Sequence, residues 1–362
     1  MGMVGGLDVH RAQITFDWVD HDTGEVGRGR VVPATREEFR SWLEQLPTRQ
    51  GAFAVEATTG WRFVVEELTR AGFEAHLAEP ADTAAARGRK RRAKTDRADA
   101  KHLRVLLEQD RLPESWIAPA HILDLRETTR LRHTLTEQRT QWQQRIHAIL
   151  YHHGVPKPAS KLTTAATREW LAAVDLPPAS RHAIVVAVGQ INQLEATLKP
   201  IDRWLRAYAR CQPGCRALIA NHYGIGQITA PTIVAELGDV RRFRNGDAVV
   251  RYTGLDVTVY SSDGKRSPGH LARQGPPALR WALFEAAMAN AYRSTAPDYD
   301  YYRQVKDRVG GKRPGLSVAR KLARRIRFTL AELGDDALAP VDDAELPDLF
   351  DVSQPDTMAV AA

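Results

Sequence analysis

Near its N-terminus, the chain alternates apolar and polar residues with a period of two. Residues 4–9 are a short apolar segment with one carboxylate, Asp8, near its end, and Ile14, Phe16 and Trp18 then recur at every second position. This period is typical of half-buried strands. A third strand is predicted over residues 26–32, after a turn.

The pattern then changes to alternating helices and strands. Thr35 followed by Glu38 is a capping-box spacing that predicts the start of a helix. A buried strand at 52–56, a helix at 61–71 and a strand at 74–78 follow. Three antiparallel strands followed by this alternation are the element order of an RNase H-like α/β layer.

The middle of the chain is predicted to be helical. A helix with Thr95 as its N-cap is expected up to residue 108. Two long, charged, helix-forming stretches, 119–153 and 178–210, flank a segment punctuated by prolines. Such a pair predicts an antiparallel hairpin or coiled coil, used as a spacer or an oligomerisation arm.

The last part contains an apolar helix at 229–237 and a final helix predicted at 277–292. The C-terminal residues are acidic with several prolines, a composition typical of disorder. The predicted domains are an α/β domain at 1–112, a helical linker at 113–212, a smaller, mostly helical domain at 213–330, and a disordered acidic tail at 331–362.

The charge distribution points to a polyanionic partner. The 362-residue chain has a formal net charge of +7, but residues 328–362 hold no Lys or Arg and nine acidic residues, so residues 1–327 carry +16. Nucleic acid is the commonest partner of so basic a body. No apolar run reaches the length of a membrane span, no signal-peptide layout is present, and two cysteines cannot build a disulfide scaffold. A cytoplasmic protein is expected.

Four carboxylates stand where a metal site can form. Asp8 ends the first predicted strand, Glu56 ends the fourth, and Asp96 and Asp99 share one face of a helix's first turn. In an RNase H-like sheet the first and fourth strands are neighbours and the last helix packs beside them, so the four acids can converge. Converging carboxylates hold the divalent ions that act on phosphodiesters. Taken singly, each acid is more ordinary: Asp commonly ends strands and is favoured at helix N-termini.

The joint pattern is more specific. The segments Gly-Leu-Asp-Val-His, Val-Glu-Ala-Thr-Thr-Gly and Lys-Thr-Asp-Arg-Ala-Asp-Ala resemble the DEDD motif of IS110-type transposases, whose N-terminal domain is RuvC-like. The resemblance runs from residue 4 to about residue 295. It implies an insertion-sequence recombinase in which Asp8, Glu56, Asp96 and Asp99 bind Mg²⁺ or Mn²⁺ and are catalytic.

A serine-containing segment follows Gly254-Leu255. On chemistry alone it is best interpreted as an ordinary polar turn, because Ser, Asp and Gly together are turn residues. The segment also resembles the C-terminal domain of the same family, which carries a nucleophilic serine before a basic residue. That resemblance places the nucleophile on Ser262, with Ser261 as the rival, because Asp263 stands where the family has a Gly.

Further segments are candidate nucleic-acid contacts. Tyr223-Gly224-Ile225-Gly226 resembles a helix-hairpin-helix turn whose backbone N–H groups approach phosphate, although a plain helical hairpin is an equal alternative. The histidines, His10 among them, show no metal-binding spacing and are interpreted as surface or core residues. The residues predicted to contact nucleic acid are Arg87, Arg89, Lys90, Arg91, Arg92, Lys94, Arg241, Arg242, Arg244, Lys265 and Arg273.

The resemblance implies more about partners and mechanism than the residues themselves show. It implies double-stranded donor and target DNA, a structured noncoding guide RNA, a homotetramer built as a dimer of dimers, and a covalent phosphoserine link to DNA. In that scheme the serine of one subunit completes a site with the acids of another. Two alternatives stay open: a Mg²⁺-dependent junction-resolving nuclease, and a non-catalytic nucleic-acid-binding descendant of a transposase.

Overall fold

The N-terminal strands pair into one mixed sheet. The first three strands are antiparallel, the next two run parallel to the first, and a two-residue strand closes the edge. The spatial order is β3-β2-β1-β4-β5-β6. The strands are β1 (Met3–Val9), β2 (Ile14–Asp20), β3 (Val26–Val31), β4 (Gly51–Glu56), β5 (Glu74–Ala78) and β6 (Glu114–Ser115).

The computed structural model describes residues 2–86, 95–158, 160–257, 260–262, 265–267, 270–311 and 313–349, with the backbone alone at 260–262 and 265–267. The chain divides into two compact units, Met1–Ile117 and Ala118–Ala362. The helical segment predicted at 113–212 therefore falls almost wholly in the same unit as the C-terminal region.

In the first unit, helices lie on both faces of the sheet. The helices are α1 (Arg36–Glu44), α2 (Trp61–Ala71), α3 (Pro80–Ala86) and α4 (Asp96–Glu108). Thr35 caps α1 and Thr95 caps α4, each accepting a backbone N–H three residues on. Residues of α1 and α2 form one core with Leu7 and Val55, whereas Leu103 of α4 packs against Ala54 on the opposite face.

The second unit consists mainly of helices. They are α5 (Ala120–His152), α6 (Ala165–Ala173), α7 (Pro178–Cys211), α8 (Pro213–Asn221), α9 (Thr229–Leu237), α10 (Gly246–Tyr252), α11 (Pro277–Met288), α12 (Tyr299–Val309) and α13 (Arg313–Leu333). A two-stranded hairpin, β7 (Tyr260–Ser262) and β8 (Lys265–Ser267), lies between α10 and α11.

Helices α5 and α7 run antiparallel along their length. Arg132 pairs with Asp202, Arg139 lies 4.0 Å from Glu195, and His153 lies 2.8 Å from Ser180. The far end of this helical pair has its own apolar core, which includes Ile146, Leu150, Ile184 and Ile191. The other end of the pair, with Leu125 and Leu205, belongs to the larger apolar core of the second unit. Every residue of α9 is buried.

Two expectations for the C-terminus are wrong. The helix predicted to be final is followed by α12 and α13, and α13 buries Val318, Leu322, Ile326 and Leu330 at helical spacing. The tail predicted to be disordered from residue 331 is ordered up to residue 349, because its backbone carbonyls and apolar side chains have partners. Gln212 donates to the carbonyl oxygen of Ala337 (2.9 Å), whose side chain is buried. Residues 350–362 lie outside the described residues.

Among the described residues, no helix has the combined length and apolarity needed to cross a membrane.

Candidate active site

Asp8 is the most deeply placed acid of the predicted set. It lies on β1 with 5% of its surface exposed, and side chains on a strand alternate between faces, so Asp8 shares the α4 face with Gly6. Burial raises the pKa of Asp8; His10 opposes that rise, and the negative charges of Asp99 and Asp96 add to it. Asp8 is therefore a buried carboxyl whose neighbours include two further acids.

Those two acids belong to the first turn of α4. Asp99 is buried, with 8% of its surface exposed, and its backbone N–H is bonded to the carbonyl oxygen of Thr95 (3.0 Å). Asp96 is held from the β1–β2 turn, because the Gln13 amide donates to its Oδ2 (2.8 Å). The helix start and the strand turn thus fix the two carboxylates next to Asp8.

Glu56 reaches the same region from the neighbouring strand. β4 lies parallel beside β1, so their carboxyl ends meet at one edge of the sheet. Glu56 and Asp8 line one open cleft of about 490 Å³, together with His10, Arg11 and Thr58. The structure therefore brings all four predicted acids to one edge of the first unit, where Glu56 and Asp8 line one cleft and Asp96 and Asp99 lie near Asp8.

His10 is a site residue that the sequence interpretation missed. Its Nε2 lies 3.1 Å from Asp8 Oδ2 and 3.7 Å from Asp96 Oδ1, and ligand atoms of these three residues all lie within 4.8 Å of one another. His10 belongs to no His-x-His or His-x-x-x-His spacing, so those patterns do not indicate it. The available signal was Asp-x-His at a strand end, since positions i and i+2 share a face.

A buried charge network holds α4 in register with the sheet. Arg104 donates through its Nε to Asp17 of β2, which is 3% exposed, and through NH1 to Glu108 (2.6 Å). Arg28 of β3 donates to the second oxygen of Asp17 (2.9 Å). None of these residues belongs to the acid group, yet they fix the helix that carries Asp96 and Asp99.

The donor set suits a divalent cation. Carboxylate oxygens converge with one imidazole nitrogen, and buried carboxylates lose much of their hydration, which bound cations replace. Asp8, Asp96 and His10 are close enough to share one ion. Asp99 acts electrostatically on Asp8, and Glu56 lines the same cleft as Asp8. Such a site can organise a phosphodiester for displacement.

The predicted nucleophile lies in the second unit, on the β7–β8 hairpin. The backbone register pairs Ser262 with Lys265 and Ser261 with Arg266. Asp263-Gly264, which lies between the paired residues, is outside the described residues; its sequence is typical of two-residue hairpin connections. The interpretation as a polar turn and the interpretation as a catalytic serine both fit this hairpin.

Backbone contacts close the base of the hairpin. Val257 bridges to Leu271, and Arg273, in the left-handed region with φ 54°, donates its N–H to the carbonyl oxygen of Gly254 (3.1 Å). A side chain at Gly254 would lie 2.5 Å from the carbonyl oxygen of Gln274, so this position requires glycine. Close backbone contacts therefore join residues 254–257 to residues 271–275 at the base of the hairpin.

Two arginines bind backbone carbonyl oxygens at the base of the hairpin. Arg280 donates to the carbonyl oxygens of Thr253 and Gly275 (3.3 and 2.7 Å), and Arg320 donates to that of Leu255 (2.6 Å). Burial lowers the pKa of both guanidinium groups, and Arg273 lowers that of Arg280 further. Two guanidinium groups therefore lie at the base of the hairpin, and Asp256 is an acidic neighbour of Arg320. The sequence interpretation had selected Arg273 but neither Arg280 nor Arg320 as a contact.

The predicted helix-hairpin-helix turn joins α8 to α9. Gly224 packs so closely on α11 that a side chain would lie 2.2 Å from the carbonyl oxygen of Ala286. The N–H of Gly226 already has a partner in the chain, the Thr229 hydroxyl (2.9 Å). The turn is geometrically a helical hairpin, and phosphate contact there stays a prediction.

The predicted contact residues Arg241, Arg242 and Arg244 are only partly available to bind nucleic acid. Arg241 pairs with Asp239 and Asp335 (2.9 and 2.7 Å), and Arg242 stacks on Phe243 while donating to a carbonyl oxygen of α9. Arg244 is exposed. The predicted contact residues from Arg87 to Lys94 lie outside the described residues, and the side chain of Lys265 is likewise not described.

Comparison with known families assigns both halves of the chain to transposases. Residues 5–154 match the DEDD transposase family of the IS110 type, and residues 216–303 match the transposase IS116/IS110/IS902 family. The two matched regions contain the acid group and the serine hairpin respectively.

Individual relatives agree with these matches. The chain is 25% identical over 327 residues to a "Probable family 20 transposase" of Pseudomonas aeruginosa, covering 88% of this chain and 93% of that protein. It is 29% identical over 241 residues to a protein of Sinorhizobium fredii named as transposase y4rJ, covering 61% of this chain and 60% of the relative.

Proposed function

Because the chain belongs to the IS116/IS110/IS902 family of transposases, we propose that it moves an insertion sequence by cleaving and rejoining DNA through a serine nucleophile and a carboxylate metal site. The observation that carries this proposal is the position of Asp8, which is buried beside Asp96 and Asp99 and lines the same cleft as Glu56. The convergence of acids from two strand ends and one helix start supports a shared metal-binding role.

The fold of the first unit supports an RNase H-like, RuvC-like assignment. An antiparallel β1–β3 meander, parallel β4 and β5 beside β1, and a helix packed across β1 make up the arrangement expected of that architecture. In this arrangement the central strand carries the first acid, and the helix packed on it carries the last two.

The acids would hold Mg²⁺ or Mn²⁺ between the sheet edge and α4. Such an ion, when bound, polarises a phosphodiester and stabilises charge on the attacking and leaving oxygens. The residues of this chain supply position: Asp8 is fixed by the strand, Asp96 by Gln13, and α4 by the buried Arg104–Asp17 pair.

Ser262 is the proposed nucleophile, with Ser261 as the alternative. Attack of the Ser262 hydroxyl oxygen forms a new P–O bond as the strand's own P–O bond breaks; the serine loses its proton and the released strand end gains one. The energy of the phosphodiester is kept in the protein–DNA ester, so the strands can be rejoined without ATP. Arg280 and Arg320, which donate to backbone carbonyl oxygens at the hairpin base, support this role because they bring positive charge to that region.

The proposed partners are double-stranded donor and target DNA, a structured noncoding guide RNA and further copies of the chain in a tetramer. The basic run from Arg87 to Lys94, just before Asp96, supports the nucleic-acid part of this proposal. Neutralising four of its charges should lower the slope of log affinity against log salt by about 0.7–0.9 for each phosphate that the protein no longer neutralises. An unchanged slope would exclude the run from the interface.

Two matched variants, one in α4 and one just after it, test the metal site. Asp99→Asn keeps the side-chain volume but removes the charge and should abolish DNA cleavage. Asp110→Asn removes an exposed carboxylate just after the C-terminal end of α4 and should cleave normally. Equal cleavage by both variants, with the same metal dependence, would contradict the assignment.

A further inference from the structure

His10 is placed as a ligand would be. The imidazole follows directly after β1, and its Nε2 lies between a buried oxygen of Asp8 and an oxygen of Asp96, at 3.1 and 3.7 Å. The side chain is 54% exposed, so the position is open to ions from solvent. Ligands about 2.1 Å from an octahedral ion stand about 3.0 Å apart when adjacent and about 4.2 Å when opposite. Both measured distances lie in this interval.

The hydrogen bond from Gln13 to Asp96 leaves the oxygen that faces His10 available to an ion. Gln13 donates to Oδ2, and Oδ1 is the oxygen facing His10. Arg30 donates to the Gln13 side-chain carbonyl oxygen (3.2 Å), so the amide N–H₂ must point towards Asp96. The backbone N–H of His10 is bonded to the backbone carbonyl of Gln13 (2.9 Å), which fixes both residues in one turn. This turn therefore orients two groups that can bind an ion: the His10 imidazole, which belongs to the turn, and the Asp96 carboxylate, which Gln13 holds.

We propose that His10 is a ligand of the metal site and that its nitrogen makes the site prefer Mn²⁺ to Mg²⁺. The inference rests on the proposed function, because it concerns the same ion. Mg²⁺ takes oxygen ligands almost exclusively, whereas Mn²⁺ accepts imidazole together with carboxylates. A set of carboxylates with one imidazole thus differs in its selectivity from the four-acid set alone.

Binding of the ion can be measured without any reaction. Titration of the full chain with Mn²⁺, followed by loss of the free-ion electron paramagnetic resonance signal, gives the Mn²⁺ affinity, and competition with Mg²⁺ gives the ratio of the two. The wild type should bind Mn²⁺ more tightly than Mg²⁺. The spin-echo spectrum of bound Mn²⁺ should also show coupling to a histidine ¹⁴N.

Three variants locate that nitrogen. His10→Ala should lose the ¹⁴N coupling and weaken Mn²⁺ binding by about 10–100-fold, with a smaller effect on Mg²⁺. His10→Asp supplies an oxygen in its place and should lower the ratio of Mn²⁺ to Mg²⁺ affinity. His21→Ala is the matched control, since His21 also lies beside one carboxylate of this unit (Glu108, 3.3 Å) but outside the cluster, and it should behave as the wild type.

The failures of the two proposals are distinguishable. Tight Mn²⁺ binding without ¹⁴N coupling, unchanged in His10→Ala, overturns the assignment of His10 and leaves the carboxylate site standing. Tighter binding of both ions by His10→Ala also overturns it, because the imidazole would then be competing with the ion. Absence of binding of either ion to the wild type, alone and with DNA, overturns both this inference and the proposed metal site.

Discussion

Gly6 of β1 lies directly against the backbone of Ala100 in α4: a side chain at Gly6 would stand 2.1 Å from the carbonyl oxygen of Ala100. Asp8 is two residues further along the same strand face, and Asp99 immediately precedes Ala100. The glycine contact therefore sets the distance between the strand and the helix that carry the acids. Asp8 of β1 and Asp99 of α4 lie close together because Gly6 has no side chain that would hold the strand and the helix apart.

Gly6→Ala should displace α4 and separate Asp8 from Asp99. The added methyl group also meets the backbone nitrogen of Arg104 at 2.6 Å, so relief requires movement of the helix itself. We expect a loss of about 1–3 kcal/mol of stability, together with loss of metal-dependent cleavage. Gly189→Ala is the control: Gly189 is exposed in α7 with open space around it, and the change should stabilise by about 0.5–1 kcal/mol. Urea unfolding measures both, and a neutral Gly6→Ala would contradict the close packing.

Arg104→Met should lower stability strongly. It leaves Asp17 buried, with Arg28 still donating to one of its oxygens, and breaking a buried ion pair costs about 3–5 kcal/mol. Arg97→Met, on an exposed position of the same helix, should change stability by no more than about 0.5 kcal/mol. Equal urea midpoints for the two variants would show that the network does not hold α4.

Glu67 should make the first unit sensitive to acid. It is buried in α2 and bonded to Arg36, Arg40 and Arg70, and the Arg40 hydrogen bond is the largest of the effects that lower its pKa to about 2 from an ordinary 4.5. A depressed pKa stabilises the fold above the unfolded value, and this contribution disappears as the pH falls from about 4.5 to about 2.

The Glu67→Gln variant tests this directly. It should be less stable than the wild type at pH 6, and the gap should narrow by pH 3 in urea unfolding. Glu37→Gln, exposed in the first turn of α1, should follow the wild type at both values. A gap that stays constant with pH would contradict the role of the Glu67 charge.

Mixing two inactive variants tests whether acids and serine can come from different subunits. Asp99→Asn retains the serine hairpin and Ser262→Ala retains the acids, so a mixed oligomer can contain one intact set of each. Recombination should therefore reappear on mixing, whereas neither variant is active alone. Absence of recovery in oligomers shown to contain both chains would require both groups to come from one subunit.

Much of the first unit was predictable from the sequence because its local signals agree. The period of two at Ile14, Phe16 and Trp18, and the cap residues Thr35 and Thr95, predict elements within about two residues of those observed. The acids followed from strand ends and a helix start, since the topology brings those positions together. The three sequence segments that carry these acids together resemble the motif of one family, which no single acid could indicate.

Other features depend on contacts that no local pattern contains. His10 became a site residue only when the β1–β2 turn brought it to Asp96, far along the chain. The acidic residues after 334 resemble a disordered tail by composition, yet tertiary partners such as Gln212 order them. In α13 the apolar spacing is present, but six Lys and Arg residues at 313–327 obscure it when composition alone is considered.

Trapping of a covalent protein–DNA adduct tests the central claim most directly. The wild type, incubated with DNA, guide RNA and a divalent ion and then denatured, should carry DNA on a peptide that contains Ser262. Ser262→Ala should lose the adduct while still binding nucleic acid, and Asp99→Asn should also fail to form it. An adduct mapped to Ser261 would keep the mechanism and move the nucleophile by one residue. Cleavage to free ends without an adduct, undiminished in Ser262→Ala, would contradict the recombinase mechanism and establish a hydrolytic nuclease.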